Sequence, residues 1–117
     1  MKFKDKVVAI TGAGAGIGLA TAIAFAREGA KLGLLGSVNT KAECFEELDK
    51  MGADSILLQV EVSDEESSRS AIDGVAERFG RLDILVNCAG IVIPGSLETT
   101  SAEQMDKTLA VNVKGVF

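Results

Sequence analysis

Residues 6–18, KVVAITGAGAGIG, are the stretch on which the fold turns. Lys6 to Ile10 form a short β-rich run, and a glycine cluster follows it without a break. Beyond the cluster, Ile17, Ala20 and Ala24, with their neighbours Ile23 and Phe25, repeat at helical spacing as far as Gly29. A strand that turns through glycines into a helix presents the helix's first N–H groups, and the helix dipole favours a phosphate there. The same glycines also serve a plain tight turn. Spacing narrows the choice. The G-x-G-x-x-G register fails, because Ile17 and Leu19 stand where it needs a small residue, and no Gly-Lys-Ser/Thr follows for a Walker loop. The register that fits is T-G-x-x-x-G-x-G, carried by Thr11, Gly12, Gly16 and Gly18.

The pattern continues outward. Lys31 to Leu35 is a second short apolar run, Ser55 to Val62 a third and Leu82 to Asn87 a fourth. Between them lie helical patterns. Thr40 to Glu43 reads as a capping box that opens a helix with Ala42, Phe45, Leu48 and Met51 spaced three apart and closed by Gly52. Ser63 to Glu66 reads as a second box, ahead of Ile72, Val75, Ala76 and Phe79, with Gly80 as the stop. A loop with Pro94-Gly95 leads to a third box, Thr100 to Glu103, and the last helix. Strand and helix alternate throughout, and the strands are apolar runs, as expected when both sheet faces are covered. The fold class is therefore α/β: a doubly wound, Rossmann-like parallel sheet, incomplete, of about four strands with flanking helices.

Composition sets limits. The 117 residues suffice for one small domain, and a hydrophobic share of 47% provides a core. A net charge of −5 without a basic block argues against nucleic acid or an anionic membrane as partner. No apolar run reaches membrane length. Cys44 and Cys88 are far apart and no secretory pattern precedes them, which fits a reducing, cytoplasmic setting. There is no His and no Tyr, so the usual neutral-pH acid/base side chain is missing and no metal site suggests itself.

Three motifs, Thr11-Gly-Ala-Gly-Ala-Gly-Ile-Gly18, Asn87-Cys-Ala-Gly90 and Val111-Asn112-Val113, together resemble the short-chain dehydrogenase/reductase family, in order and spacing across the whole chain. The resemblance implies an NAD(P)-dependent oxidoreductase that moves a hydride between an alcohol and a carbonyl substrate, assembled as a homo-oligomer. It places Gly12, Gly16, Ile17 and Gly18 against the pyrophosphate and nicotinamide ribose, with Gly14 in the same loop. Glu61 and Val62 match the adenine end of strand three, where the family usually has Asp. Asn87, Ala89 and Gly90 match the stretch after strand four, with Asn87 bracing the strand end through its amide and Ala89 and Gly90 letting a ribose approach. Cys88 stands where the family has a second Asn, and reads either as a small buried residue or as a reactive thiol.

Cofactor choice hangs on the end of strand two. A carboxylate there would bind the adenosine ribose 2′-OH and reject a 2′-phosphate. The position is Gly36, followed by Ser37, and no Asp or Glu occurs between Ala30 and Ala42. Ala15 and Ser37 stand where NADP users often carry Arg or Lys. Ser37, Asn39, Thr40 and Lys41 read either as a polar phosphate pocket or as a turn and a helix cap. With nothing anionic to oppose a phosphate, the reading is NAD or NADP, tilted to NADP.

Of the family's catalytic set only Asn112 is present. Met105, Leu109, Asn112 and Val116 share a helical face, so the Asn112 amide is expected on an apolar stripe. It reads either as a buried amide satisfied by nearby backbone or as the site of a local helix distortion that serves a catalytic Lys. The family's Ser and Tyr-x-x-x-Lys have no counterpart in residues 1–117. The chain is therefore expected to be the cofactor-binding segment, ending inside the helix after strand four, and to bind without turning over. A non-catalytic nucleotide-binding module is the alternative, and a protein in which the glycine loop is only a turn is a third. Strand four is expected at a sheet edge, where its apolar residues invite self-association.

Overall fold

Five consecutive buried residues, Val7–Thr11, form β1, the strand around which the rest is arranged. The computed structural model describes residues 1–117. β1 leads to α1 (Gly16–Arg27), β2 (Lys31–Gly36), a 3-10 turn (Ala42–Phe45) running into the short α2 (Glu46–Lys50), and β3 (Ser55–Gln59). Then follow α3 (Glu65–Phe79), β4 (Ile84–Asn87) and α4 (Ala102–Leu109), which continues as a π-turn over Ala110–Lys114. The strands lie in the order β3-β2-β1-β4, and every pairing is parallel.

Alternation along β1 sends its side chains to two cores. Val8 and Ile10, with Leu32 and Leu34 of β2, pack on Ala22 of α1 and on Phe45 and Leu48. Val7, Ala9 and Leu35 pack on Ala71 and Val75 of α3. Helices thus cover both faces, as the doubly wound reading requires. Ile10, Leu32, Leu34 and Leu48 are fully buried, each contributing about 1.5–3 kcal/mol relative to exposure. α3 comes so close to the sheet that a side chain at Gly33 would meet Val75 Cγ2 at 2.5 Å.

β4 is held to β1 at both ends. At its start, the Val7 N–H donates to Asp83 Oδ2 at 2.9 Å and the Asp83 N–H donates to the Val7 carbonyl at 3.0 Å. Arg81 donates to the same carboxylate through Nε at 3.1 Å and a terminal nitrogen at 2.6 Å. These bonds hold the Asp83 carboxyl below the usual carboxylate range, the Arg81 bond foremost and the Val7 N–H next. At the far end the clamp is the Thr11 hydroxyl.

Several local expectations are corrected. The inward stripe of α1 is Gly18 and Ala22, not Ile17, Ala20 and Ala24; Ile17 is 79% exposed. Gly18 is pressed against the backbone of Gly12, which fixes the rotation of the helix and turns Ile17 outward. The Thr40 box does not form: Lys41 is the N-cap of the 3-10 turn and no side chain caps it. The Ser63 box does not form either, because the Ser63 hydroxyl donates to Glu61 Oε1 at 2.7 Å and Asp64 is the uncapped N-cap of α3. The third box is real but one residue later, with Ser101 and Gln104 as its reciprocal pair. β3 ends at Gln59 rather than Val62, although the Val60 N–H still reaches the Gly36 carbonyl at 2.8 Å. Gly80 closes α3 in the left-handed conformation expected of it, at φ 79°. No helix is long and apolar enough to cross a membrane.

Candidate functional site

Chain direction across the sheet reverses at β1: β2 and β3 lie on one side and β4 on the other. In open parallel sheets the crevice beyond the strands' C-terminal ends at such a switch point is where ligands bind. Thr11 ends β1 there, in register with Leu35 of β2 and Asn87 of β4. Its hydroxyl accepts hydrogen bonds from the N–H groups of Cys88 and Ala89, both at 3.1 Å. The bracing expected of the Asn87 amide is therefore supplied by Thr11 instead. A short side chain whose oxygen faces two successive amides holds the strand end without filling the crevice.

The glycine loop closes over this staple. Gly12, at φ 62°, lies so near it that a side chain would meet the Cys88 carbonyl oxygen at 2.8 Å and Ala89 Cα at 2.9 Å. Gly16, at φ 53°, is the opposite case: nothing stands within 4 Å of where its side chain would be. The amides of Gly14, Ala15, Gly16, Ile17 and Gly18 donate to no backbone carbonyl, and Ala15, the N-cap of α1, offers no side-chain cap. Unpaired N–H groups, a helix N-terminus and open space over Gly16 together form a cradle for an anion. Gly90 forms the opposite wall, with Asn112 Oδ1 the single atom within 4 Å of where its side chain would be.

Gly36 is buried at the end of β2, and exposed Ser37 starts a turn in which the Thr40 N–H donates to the Ser37 carbonyl at 3.0 Å. Ser37 Oγ accepts the Asn39 N–H at 3.3 Å. Thr40 packs across both Gly36 and Gly14, a contact with no signal in the sequence beyond a Thr that also reads as a cap. Glu61 and Val62 lie past β3 rather than in it. The Glu61 N–H donates to Ser67 Oγ at 2.9 Å and its carboxylate takes the Ser63 hydroxyl, so neighbours already engage it. Val62 packs against Gly115 of the chain's last turn.

Asn112 sits in the π-turn, where the helix is locally distorted. It is exposed rather than buried, and the buried residue of that segment is Val111. The expected apolar stripe is likewise open, with Met105, Leu109 and Val116 about half exposed. The Asn112 amide nonetheless has partners: it bonds both the N–H and the carbonyl of Ile91. Of the two alternatives for this residue, the backbone partner and the helix distortion are both present, and the burial is not. Cys88 is half-buried, unpaired and packed against the larger core.

A cavity of about 550 Å³ lies on the α3 side of β4, between Leu85, Ile72 and Val116. It meets the crevice through Thr11, Val62 and Asn87, and no loop glycine lines it. The lining of the cavity is mixed, with Glu65, Arg69, Asp73 and Lys114 beside the apolar side chains.

Comparison with known proteins agrees with this geometry. Residues 6–117 match the family described as short chain dehydrogenase. An uncharacterized oxidoreductase of Thermotoga maritima is 46% identical over 118 aligned positions, which cover 100% of this chain and 46% of that protein. A 2,5-dichloro-2,5-cyclohexadiene-1,4-diol dehydrogenase of Sphingobium indicum is 39% identical, over 99% of this chain and 47% of its own length. Among solved structures, a short chain dehydrogenase of Burkholderia cenocepacia in complex with NADP superposes with a TM-score of 0.91 at 36% identity, covering 99% of this chain and 48% of that one. The chain thus spans about half the length of each of these relatives. With a parallel sheet in the order β3-β2-β1-β4, a glycine cradle at its switch point and a family match from Lys6 to its last residue, the chain belongs to the short chain dehydrogenases.

Proposed function

We propose that residues 1–117 bind a nicotinamide dinucleotide in the crevice above Thr11, as the cofactor-gripping part of an oxidoreductase that transfers a hydride between NAD(P) and an alcohol or carbonyl substrate. The observation that carries the reading is the run of unpaired amides from Gly14 to Gly18 over open space at Gly16. The bound nicotinamide ring would supply the hydride chemistry.

The chain's own residues bind and orient. The amides at the head of α1 would hold the pyrophosphate, and Gly16, with nothing within 4 Å of where its side chain would be, would let it approach the backbone. Ala89 and Gly90, held by Thr11, leave room for a ribose. Ile17 stands free at the rim, where its apolar side chain would shield the pyrophosphate and nicotinamide ribose from water. Gly36, Ser37, Glu61 and Val62 form the adenosine end. NADP is favoured over NAD because no carboxylate ends β2, and the Burkholderia relative's complex with NADP supports the same direction. Asn112 fixes the loop that begins at Ile91, beside the reacting end of the crevice. With no Tyr and no His in the sequence, this chain by itself is expected to bind without turnover. A cytoplasmic setting fits the free thiols, and homo-oligomeric assembly goes with the family reading.

The test is a titration read by reduced-nicotinamide fluorescence, which the absence of Trp leaves uncluttered. Saturable binding of NADPH or NADH supports the reading; no saturable response to either defeats it.

A further inference from the structure

Thr40 fills the room that a side chain at the end of β2 would use. A methyl group placed on Gly36 would lie 2.5 Å from Thr40 Cβ and 2.6 Å from both Cγ2 and Oγ1. One placed on Gly14, in the glycine loop, would lie 2.8 Å from Thr40 Cγ2 and 3.1 Å from Oγ1. Thr40 therefore spans the gap between β2 and the phosphate loop. The closest contact is with the Cβ of a β-branched residue, which has little rotamer freedom. Its backbone is tied down by the bond to Ser37. Its hydroxyl enters none of the chain's side-chain hydrogen bonds and is not sealed from solvent, so it remains available to a ligand.

We propose that Thr40 stands where a β2-terminal carboxylate would otherwise face the adenosine ribose, so that Gly36 and Thr40 act as one specificity element for the 2′ group of the dinucleotide. This rests on the dinucleotide reading above. A carboxylate there would accept the 2′-OH and repel a 2′-phosphate. A Thr hydroxyl carries no charge and donates to a phosphate oxygen as readily as it accepts from a hydroxyl. The two positions are coupled by volume. Neither an Asp at 36 nor its Cβ fits while Thr40 keeps any side chain.

The experiment uses the full chain with Gly36→Asp, Thr40→Ala, Gly36→Asp/Thr40→Ala and Gly36→Asp/Thr40→Gly. Two readouts are taken: the ligand-free melting temperature, and the affinities for NADPH and NADH. Gly36→Asp alone is expected to melt about 5 °C or more below the parent, because overpacking strains a buried strand end. Adding Thr40→Ala leaves the deficit, since Ala keeps the offending Cβ. Adding Thr40→Gly recovers most of it and favours NADH over NADPH by about tenfold or more. Thr40→Ala alone weakens NADPH by about threefold to tenfold and leaves NADH within about twofold. A Gly36→Asp variant that melts with the parent and already prefers NADH overturns the proposal. If the parent binds both dinucleotides and the variants leave their ratio unchanged, only this inference falls. If the parent binds neither, the dinucleotide reading falls and takes the specificity element with it.

Discussion

The side-chain amide of Asn112 grips the Ile91 peptide from both sides: Nδ2 donates to the Ile91 carbonyl at 2.9 Å, and Oδ1 accepts the Ile91 N–H at 2.8 Å. This pairing fastens the start of the 91–100 loop to the π-turn after α4, one residue past Gly90. Asn112→Ala removes both bonds. The site is exposed, so water replaces the partners and the global cost is about 1 kcal/mol. The local effect is larger: the Ile91 amide should exchange with solvent as fast as an open loop. Asn112→Asp keeps an acceptor but sets a carboxylate against a carbonyl, and should restore little. Hydrogen exchange at Ile91 checks this, and unchanged protection in Asn112→Ala would refute it.

Thr11 offers a sharper stability test, because it is 7% exposed and two amides depend on its one oxygen. Thr11→Val keeps the shape and removes the acceptor. The Cys88 and Ala89 N–H groups are half-buried, so the expected loss is about 2 kcal/mol. Thr11→Ser keeps the oxygen and loses a methyl group, at about 1 kcal/mol. Urea denaturation should rank parent, Ser, then Val. Equal losses for Ser and Val would mean that packing, not the hydrogen bonds, carries the effect.

The two left-handed glycines of the loop should separate folding from binding. Gly12→Ala combines positive φ with a collision against the Cys88 carbonyl oxygen; it should cost about 3 kcal/mol or more and lower soluble yield. Gly16→Ala suffers only the backbone strain, about 1 kcal/mol, since its side chain enters open space. That open space is where the pyrophosphate is proposed to lie, so Gly16→Ala should fold and bind NADPH at least about tenfold more weakly. A Gly16→Ala variant with parental affinity would move the cradle elsewhere.

Asp83 gives the chain an acid-sensitive clamp. Its carboxyl is held below the usual range by Arg81 first and the Val7 N–H second. A group whose folded pKa is depressed stabilises above its unfolded value, about 3.9. That contribution is lost as pH falls through the lower folded value. Asp83→Asn should therefore be less stable than the parent near neutrality, and the difference should close below about pH 4. Melting temperatures across that range decide it; a gap that widens toward acid would reverse the sign and refute the clamp.

How much of this was legible follows from what each signal encodes. Apolar runs and glycine stops are local, so β1, β2 and the closure of α3 at Gly80 could be read directly. The glycine register could be read because spacing alone distinguishes it. Rotation of α1 could not, since it is set by Gly18 meeting the backbone of Gly12, a contact between two residues with no side chains. Two of the three capping boxes failed for a similar reason. Ser63 and Ser101 carry the same pattern, but Ser63 found the Glu61 carboxylate and Ser101 found a helix amide. Thr40 between two glycines, and Asn112 on Ile91, depend on chain segments brought together only by the fold.

β4 carries the last prediction. It pairs with β1 alone and alternates between half-buried and exposed residues, with Leu85 46% exposed. Val116 of the chain's last turn borders the same cavity as Leu85 and is itself about half exposed. An unpaired apolar edge of this kind is a template for another strand. The chain on its own should therefore self-associate as concentration rises. Leu85→Lys places a charge on the edge strand, where half of the side chain already meets water, and should shift sedimentation toward monomer without unfolding the sheet. A parent chain that sediments as one monodisperse monomer at high concentration would mean the edge is blunted by its own twist, and the argument from β4 would fail.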